Sequence, residues 1–251
     1  MRVLFLGNNW VGWQILQWLV DQGEQIVGLV MHPPQKQKFG PQILEASGLA
    51  DTRILQATQI KTAAGRAYVQ DVRPDIGVSV LFDYLLDRTV LDAVPRGVVN
   101  LHPSYLPFNR GQFPNVWSIV EKTPAGVTLH YIDEQVDTGD IIAQSRVDVE
   151  PTDTGLTLYR RLELAAIDLF KSAWPHLSAG ATVRVPQQGC GTCHRTRDVD
   201  RIDRIDLEKA YPARELIDIL RARTFPPYKG AFFEENGRRV YLRLELTEES
   251  S

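Results

Sequence analysis

Asn100 and His102 lie one residue apart at the end of an apolar run. On a β-strand that spacing sends both side chains out of the same face. Pro103 follows at once and turns the chain away, so an amide and an imidazole are presented together. Further along, the pentapeptide VDTGD places Asp137 and Asp140 in a turn with Gly139, between two strand-like runs. A carboxylate arriving beside an imidazole orients it and stabilises its protonated form. An amide, an imidazole and a carboxylate at one point suit the attack of an amine on a carbonyl. The oxyanion of that reaction would be held by the Asn N–H and by His⁺, and no Ser or Cys nucleophile is required. Taken singly, each residue has an ordinary explanation: His-Pro after a strand is a capped turn, and Asp-x-Gly-Asp is a polar loop. Only convergence makes them a site.

Convergence depends on the elements that carry them. Arg2–Leu6 is a short apolar run closed by Gly7, as in a buried parallel strand. Val11, Ile15, Trp18 and Leu19 recur at helical spacing, with Gly23 as a stop. Ile26–Met31, Arg53–Leu55, Asp75–Leu81 and Gly97–Leu101 read as further strands, with helices over Ala64–Val72 and Arg88–Val94. This alternation predicts an α/β fold with a doubly wound, Rossmann-like, mostly parallel sheet. Ligands of such sheets bind outside the carboxyl ends of the strands, which here means Gly7–Trp10, Leu81–Leu86 and Leu101–Pro107.

Beyond Pro107 the sequence predicts a loop (PFNRGQFPN), a helix around Val116–Glu121, strands over Gly126–Ile132 and Ile141–Val149, and a helical stripe from Leu158 to Phe170. Thr182–Val185 looks strand-like and PQQGCGT like a linker. A last helix around Ala213–Leu220 precedes an Asn236-Gly237 hairpin signal. The expected division is a catalytic domain over residues 1–180 and a small C-terminal α+β subdomain over 181–251.

Hydrophobic content of 43% and charged content of 24% are those of an ordinary globular chain. With 28 Lys and Arg against 31 Asp and Glu, no basic stripe exists to grip a large nucleic acid. No apolar run approaches the roughly 18 residues of a membrane span, and the polar turn after Leu6 does not suit a signal peptide. The expectation is a cytoplasmic protein with both cysteines reduced and no membrane partner. Cys190-Gly-Thr-Cys193-His194 matches a haem-attachment pattern literally, but there is no export signal. A zinc site would want four ligands, and no second pair of cysteines occurs; no metal is expected. GNNWVG is a poor dinucleotide fingerprint. His32, His130 and His176 read as structural histidines, whereas Trp10 is placed to meet a ligand.

The runs NLHPSYLPFNRG and GVTLHYIDEQVDTGDII together resemble the signature of the folate-dependent formyltransferases. The resemblance covers residues 1–180 and implies that fold, with a catalytic Asn, His and Asp at Asn100, His102 and Asp137. It implies N10-formyltetrahydrofolate as donor and a primary amine as acceptor. Asn100 would hold the formyl oxygen, His102 would stabilise the oxyanion, and Asp137 would orient and charge His102 and relay a proton. The donor would contact Leu81, Tyr84 and Leu86, with Asp140 nearby. The acceptor would meet Asn8, Asn9, Trp10 and Arg110. The segment SYLPFNRGQFPNVWS is most similar to that of the nucleotide-sugar N-formyltransferases, which implies a nucleotide-linked amino sugar of the kind used in surface polysaccharides such as lipopolysaccharide. The alternatives are acceptors of the methionyl-tRNA or glycinamide-ribonucleotide type, or hydrolysis of formyl-folate. In related chains CGTCH is a Gly-Thr-x-His turn, so Cys193 fills a variable position. The aromatic tail around Tyr228, Phe232 and Phe233 is a candidate homodimer face.

Overall fold

The computed structural model describes residues 1–249; positions 250 and 251 of the expected C-terminal subdomain lie outside them. In chain order the elements are β1 (Arg2–Gly7), α1 (Asn9–Asp21), β2 (Gln25–Met31), α2 (Gly40–Ser47), β3 (Ile54–Gln56), α3 (Ala63–Val72), β4 (Ile76–Val80) and α4 (Arg88–Asp92). Then come β5 (Val98–His102), β6 (Arg110–Gly111), α5 (Pro114–Val120), β7 (Gly126–Tyr131), β8 (Ile141–Arg146) and α6 (Gly155–Ser178). The chain ends through β9 (Cys193–His194), α7 (Asp200–Asp203), α8 (Ala213–Ala222), β10 (Phe232–Glu235) and β11 (Arg238–Tyr241).

Among the described residues, seven strands form one sheet in the order β3-β2-β1-β4-β5-β7-β8. The five strands from β3 to β5 are parallel, and β7 joins β5 antiparallel. The chain leaves β1 toward β2 and β3, then crosses back to β4. This reversal opens a crevice beyond the carboxyl ends of β1 and β4. On one sheet face Leu4, Leu6, Val27 and Val30 pack against Val69 and Val72 of α3 and Val90 of α4. Trp18 of α1 meets Phe170 of α6 edge-on, and Trp174 donates from Nε1 to Glu24 at 2.8 Å.

The parallel ladder slips by one residue between Val3 and Leu4, and Tyr68 fills the irregularity. Its hydroxyl accepts from Leu29 N at 2.9 Å and donates to Arg53 O at 2.6 Å. Gly28 leaves the room, because a Cβ there would lie 2.6 Å from the hydroxyl. Burial pushes the Tyr68 phenol up to about 12. A raised acid pKa favours the neutral form, so this contribution to stability is present below pH 10 and lost between pH 10 and about 12. Tyr68→Phe, which leaves Leu29 N–H without its partner, is expected to cost about 1–3 kcal/mol in a denaturant titration.

The chain divides into two compact units. The first comprises residues 1–102, 128–144 and 166–188, and the second 103–127, 145–165 and 189–251. In the second, Ile205, Ile219 and Ala231 form a small core, and β10 and β11 make an antiparallel hairpin. Two sequence expectations are revised: β8 stops at Arg146, not Val149, and the strand expected at Thr182–Val185 is a single bridge from Val185 to Ile141.

Candidate active site

Three adjacent strands assemble the site within the first unit. The register sets Asn100 of β5 opposite Ser79 of β4 on one side and opposite His130 of β7 on the other. Directly opposed residues share a sheet face, so the three side chains form a row. Ser79 Oγ donates to Asn100 Oδ1 at 2.9 Å, and Asn100 Nδ2 lies 3.2 Å from His130 Nε2. His130 Nδ1 is 2.8 Å from Tyr131 O, a contact that requires the proton on Nδ1. Neutral His130 then offers its Nε2 lone pair to the amide, and Ser79 and His130 together fix which end of Asn100 is oxygen and which is nitrogen.

Asp137 reaches this row from the loop between β7 and β8. Its Oδ2 is 3.6 Å from His102 Nε2, and its Oδ1 is 3.6 Å from His130 Nε2 and 3.4 Å from Asn100 Nδ2. His102 is only 7% exposed, so water screens its attraction to the carboxylate little. The loop is tightly built. Asp137 holds a left-handed φ of 53°, and a Cβ on Gly139 would lie 2.0 Å from Tyr131 O. Thr138 Oγ1 donates to Asp133 at 2.7 Å. Asn100, His102 and Asp137 are thus brought together as one hydrogen-bonded and ionic cluster. Asn100 Nδ2–H and a protonated His102 would stabilise charge on a carbonyl oxygen, and Asp137 would stabilise the imidazolium and accept a proton.

The remaining candidates make contacts of their own. Asp140 supplies its main-chain oxygen to Tyr131 N at 2.9 Å. Leu81 has a left-handed φ of 50°, and Leu86 is buried in the core. Tyr84 packs against His32 and Phe82, with ring centroids 5.3 and 5.4 Å away. Among the described residues, the backbone from Phe82 to Leu85 makes no backbone–backbone hydrogen bond, and Asp83 N donates to His32 Nε2 at 3.4 Å. Asn8 is committed to holding loops together: its Nδ2 donates to Lys36 O at 3.1 Å and its Oδ1 accepts from Lys38 N at 2.7 Å. Asn9 Oδ1 accepts from Trp10 N at 2.7 Å, and Trp10 is half-buried.

Arg110 belongs to the second unit, where β6 pairs with Cys193 and His194. His194 stacks on Trp117 at 4.1 Å and faces Glu121 at 3.3 Å, so this motif's histidine is a packing element. Both cysteines are exposed and unpaired. Among the described residues, no group of three or more His, Cys, Asp or Glu is placed to hold a metal ion, and no helix is long and apolar enough to cross a membrane.

The residues that sequence reasoning passed over are Ser79 and His130. Ser79 sits inside an apolar strand, and His130 looked like a solitary structural histidine. One signal was available: Thr128 and His130 alternate on one face of an otherwise apolar run.

Residues 1–173 match the family model described as formyl transferase, and residues 198–248 match an N-formyltransferase dimerization C-terminal domain. The chain is 28% identical to a methionyl-tRNA formyltransferase of Geotalea daltonii over 99% of this chain and 80% of that protein. A 4-N formyltransferase from Francisella tularensis superposes with a TM-score of 0.84 at 27% identity, covering 99% of this chain and 98% of that one. A formyltransferase from Anoxybacillus kamchatkensis, solved with UDP-4,6-dideoxy-4-formamido-L-AltNAc and tetrahydrofolate, matches with a TM-score of 0.57 at 28% identity over 80% of this chain and 89% of that one. The family model spans the whole Asn100–His102–Asp137 region, and the chain belongs to the formyl transferase family and is a formyltransferase.

Proposed function

We propose that this enzyme moves a formyl group from N10-formyltetrahydrofolate to the primary amine of a nucleotide-linked amino sugar, with Asn100, His102 and Asp137 as its catalytic residues. The observation that carries the chemistry is the convergence of an amide, an imidazole and a carboxylate on one sheet edge. N10-formyltetrahydrofolate, when bound, supplies the formyl carbon that the amine attacks. Asn100 Nδ2–H orients the formyl oxygen, and protonated His102 meets the negative charge that grows there. Asp137 stabilises the imidazolium and carries the proton that the amine gives up to N10, so that the formyl C–N10 bond breaks and tetrahydrofolate leaves. The segment Phe82–Leu85, with Leu81, Tyr84, Leu86 and Asp140, is the proposed donor side. Asn9 and Trp10 are the proposed acceptor residues of the first unit, with Asn8 bracing them, and Arg110 is the one proposed in the second unit.

The sugar acceptor is supported by the nucleotide sugar named for the Anoxybacillus enzyme. A methionyl-tRNA acceptor is the second reading, favoured by the name of the Geotalea relative. The net charge of −3 argues for the sugar, because tRNA binding draws on Lys and Arg contacts to phosphate. We place the catalytic function in residues 1–180, a homodimer contact in the C-terminal remainder, and the enzyme in the cytoplasm, acting on precursors of surface polysaccharide.

A panel of UDP- and dTDP-linked amino sugars, together with initiator methionyl-tRNA and glycinamide ribonucleotide, decides among acceptors by mass spectrometry. A sugar is expected to gain one formyl group. Formylation of the tRNA alone, or formate release at full rate without any amine, would sink the sugar reading. Light scattering on the same preparation should give twice the chain mass.

A further inference from the structure

We propose that Gln187 is a positioning residue for Asp137, acting through the main chain of the loop that carries the carboxylate. The proposal rests on reading Asp137 as catalytic. After α6 the segment Arg184–Gln187 runs as a strap across both ends of the β7–β8 loop. Val185 exchanges two backbone hydrogen bonds with Ile141, at 2.8 and 3.0 Å. The Arg184 guanidinium lies 3.6 Å over the Tyr131 ring. Gln187 Nε2 then donates to two carbonyls, Asp137 O at 2.8 Å and Gly139 O at 2.9 Å.

The chemistry of that contact is restrictive. Two acceptors flanking Thr138 converge on one nitrogen, so the nitrogen must carry two hydrogens. A primary amide supplies them, whereas a carboxylate of the same shape supplies none and sets oxygen against oxygen. The clamp acts where the backbone is least favourable. A left-handed φ of 53° is unfavourable by up to about 1–2 kcal/mol for a non-glycine residue and less for Asp, and Asp137 must stay there to aim its carboxylate between His102 and His130. The outer half of the loop is held from within, by Asp133 accepting from Gln135 N and Thr138 Oγ1. The clamp on the main chain at Asp137 and Gly139 comes from Gln187. The strap therefore sets the carboxylate's position without touching the reacting groups.

The test compares Gln187→Glu and the uncharged, similarly shaped Gln187→Met with Asp137→Asn and the double variant. The assay uses N10-formyltetrahydrofolate and the panel amino sugar turned over fastest. Displacing a catalytic group by about 1 Å costs up to ~10²-fold, so kcat should fall by roughly ten- to a hundredfold in Gln187→Glu and less in Gln187→Met. The KM of both substrates should stay within about twofold, and adding Gln187→Glu to Asp137→Asn should cost nothing further, as coupled sites behave. Wild-type kcat in both Gln187 variants, or full additivity with Asp137→Asn, would overturn the proposal. So would a loss in which kcat, both KM values and Tm move together, since that marks a merely structural strut. If Asp137→Asn itself keeps near wild-type turnover, the reading of the site fails instead. If it is inactive while Gln187→Glu is not, only the strap fails.

Discussion

Asn100→Ala is expected to lower kcat for formyl transfer by roughly 10²–10³-fold, the loss that follows removal of one oxyanion donor from a preorganised site. His102→Ala should cost at least as much, because it removes a donor and the imidazolium that Asp137 would stabilise. Neither change should unfold the protein. Asn100 is half-buried at the carboxyl end of its strand, and the apolar face of β5 is built from Val99, Leu101 and their neighbours. The two variants should differ in one respect. Losing Asn100 leaves the Ser79 hydroxyl and the His130 lone pair without their shared partner, so it should also cost about 1 kcal/mol or more of stability. Steady-state kinetics beside a denaturant titration separates the two effects. Near wild-type turnover in either variant would overturn the mechanism.

The first half of the molecule was legible because its physics is local. Apolar runs closed by Gly or Pro, alternating with helical stripes, give the parallel strands and helices to within a residue or two at most ends. Asn100 and His102 were legible for the same reason, since spacing of two on a strand guarantees a shared face. His130 was not. It meets Asn100 only because β7 pairs antiparallel with β5 in the register that opposes these two residues, and a one-residue slip would turn it to the other face. Ser79 is hidden the same way by the parallel register of β4. The contacts of two-residue ladders, such as β6 with β9, carry no periodicity at all. Gln187 was legible only as part of a polar linker, because its partners are main-chain carbonyls and those leave no trace in composition.

Gly139→Ala should be as damaging to turnover as loss of a catalytic side chain, though it changes no group that touches substrate. The ideal Cβ would stand 2.0 Å from Tyr131 O and 3.5 Å from Asp133 N, both backbone atoms, so no flexible side chain can swing aside to admit it. The loop must move, and the atoms that anchor it limit where it can go. Gly139 O accepts from Gln187, Asp140 O accepts from Tyr131 N, and Ile141 is bridged to Val185. Relief therefore has to break the Gln187 hydrogen bonds to Asp137 O and Gly139 O, and the carboxylate leaves its place between His102 and His130. Overpacking of this kind costs roughly 1–3 kcal/mol of stability, which a domain of this size tolerates. A shift of about 1 Å at Asp137 would by itself lower kcat by ~10²-fold. Asp140→Asn is the matched comparison: Asp140 lies next to the glycine, and its observed tie to the sheet runs through its main chain, so as a proposed donor contact it should raise the KM for N10-formyltetrahydrofolate while kcat stays within about threefold of wild type. A large loss in Asp140→Asn with little in Gly139→Ala would move the working carboxylate from the first aspartate of VDTGD to the second. The expected pattern, inactive at Gly139 and active at Asp140, ties catalysis to the place the backbone gives Asp137.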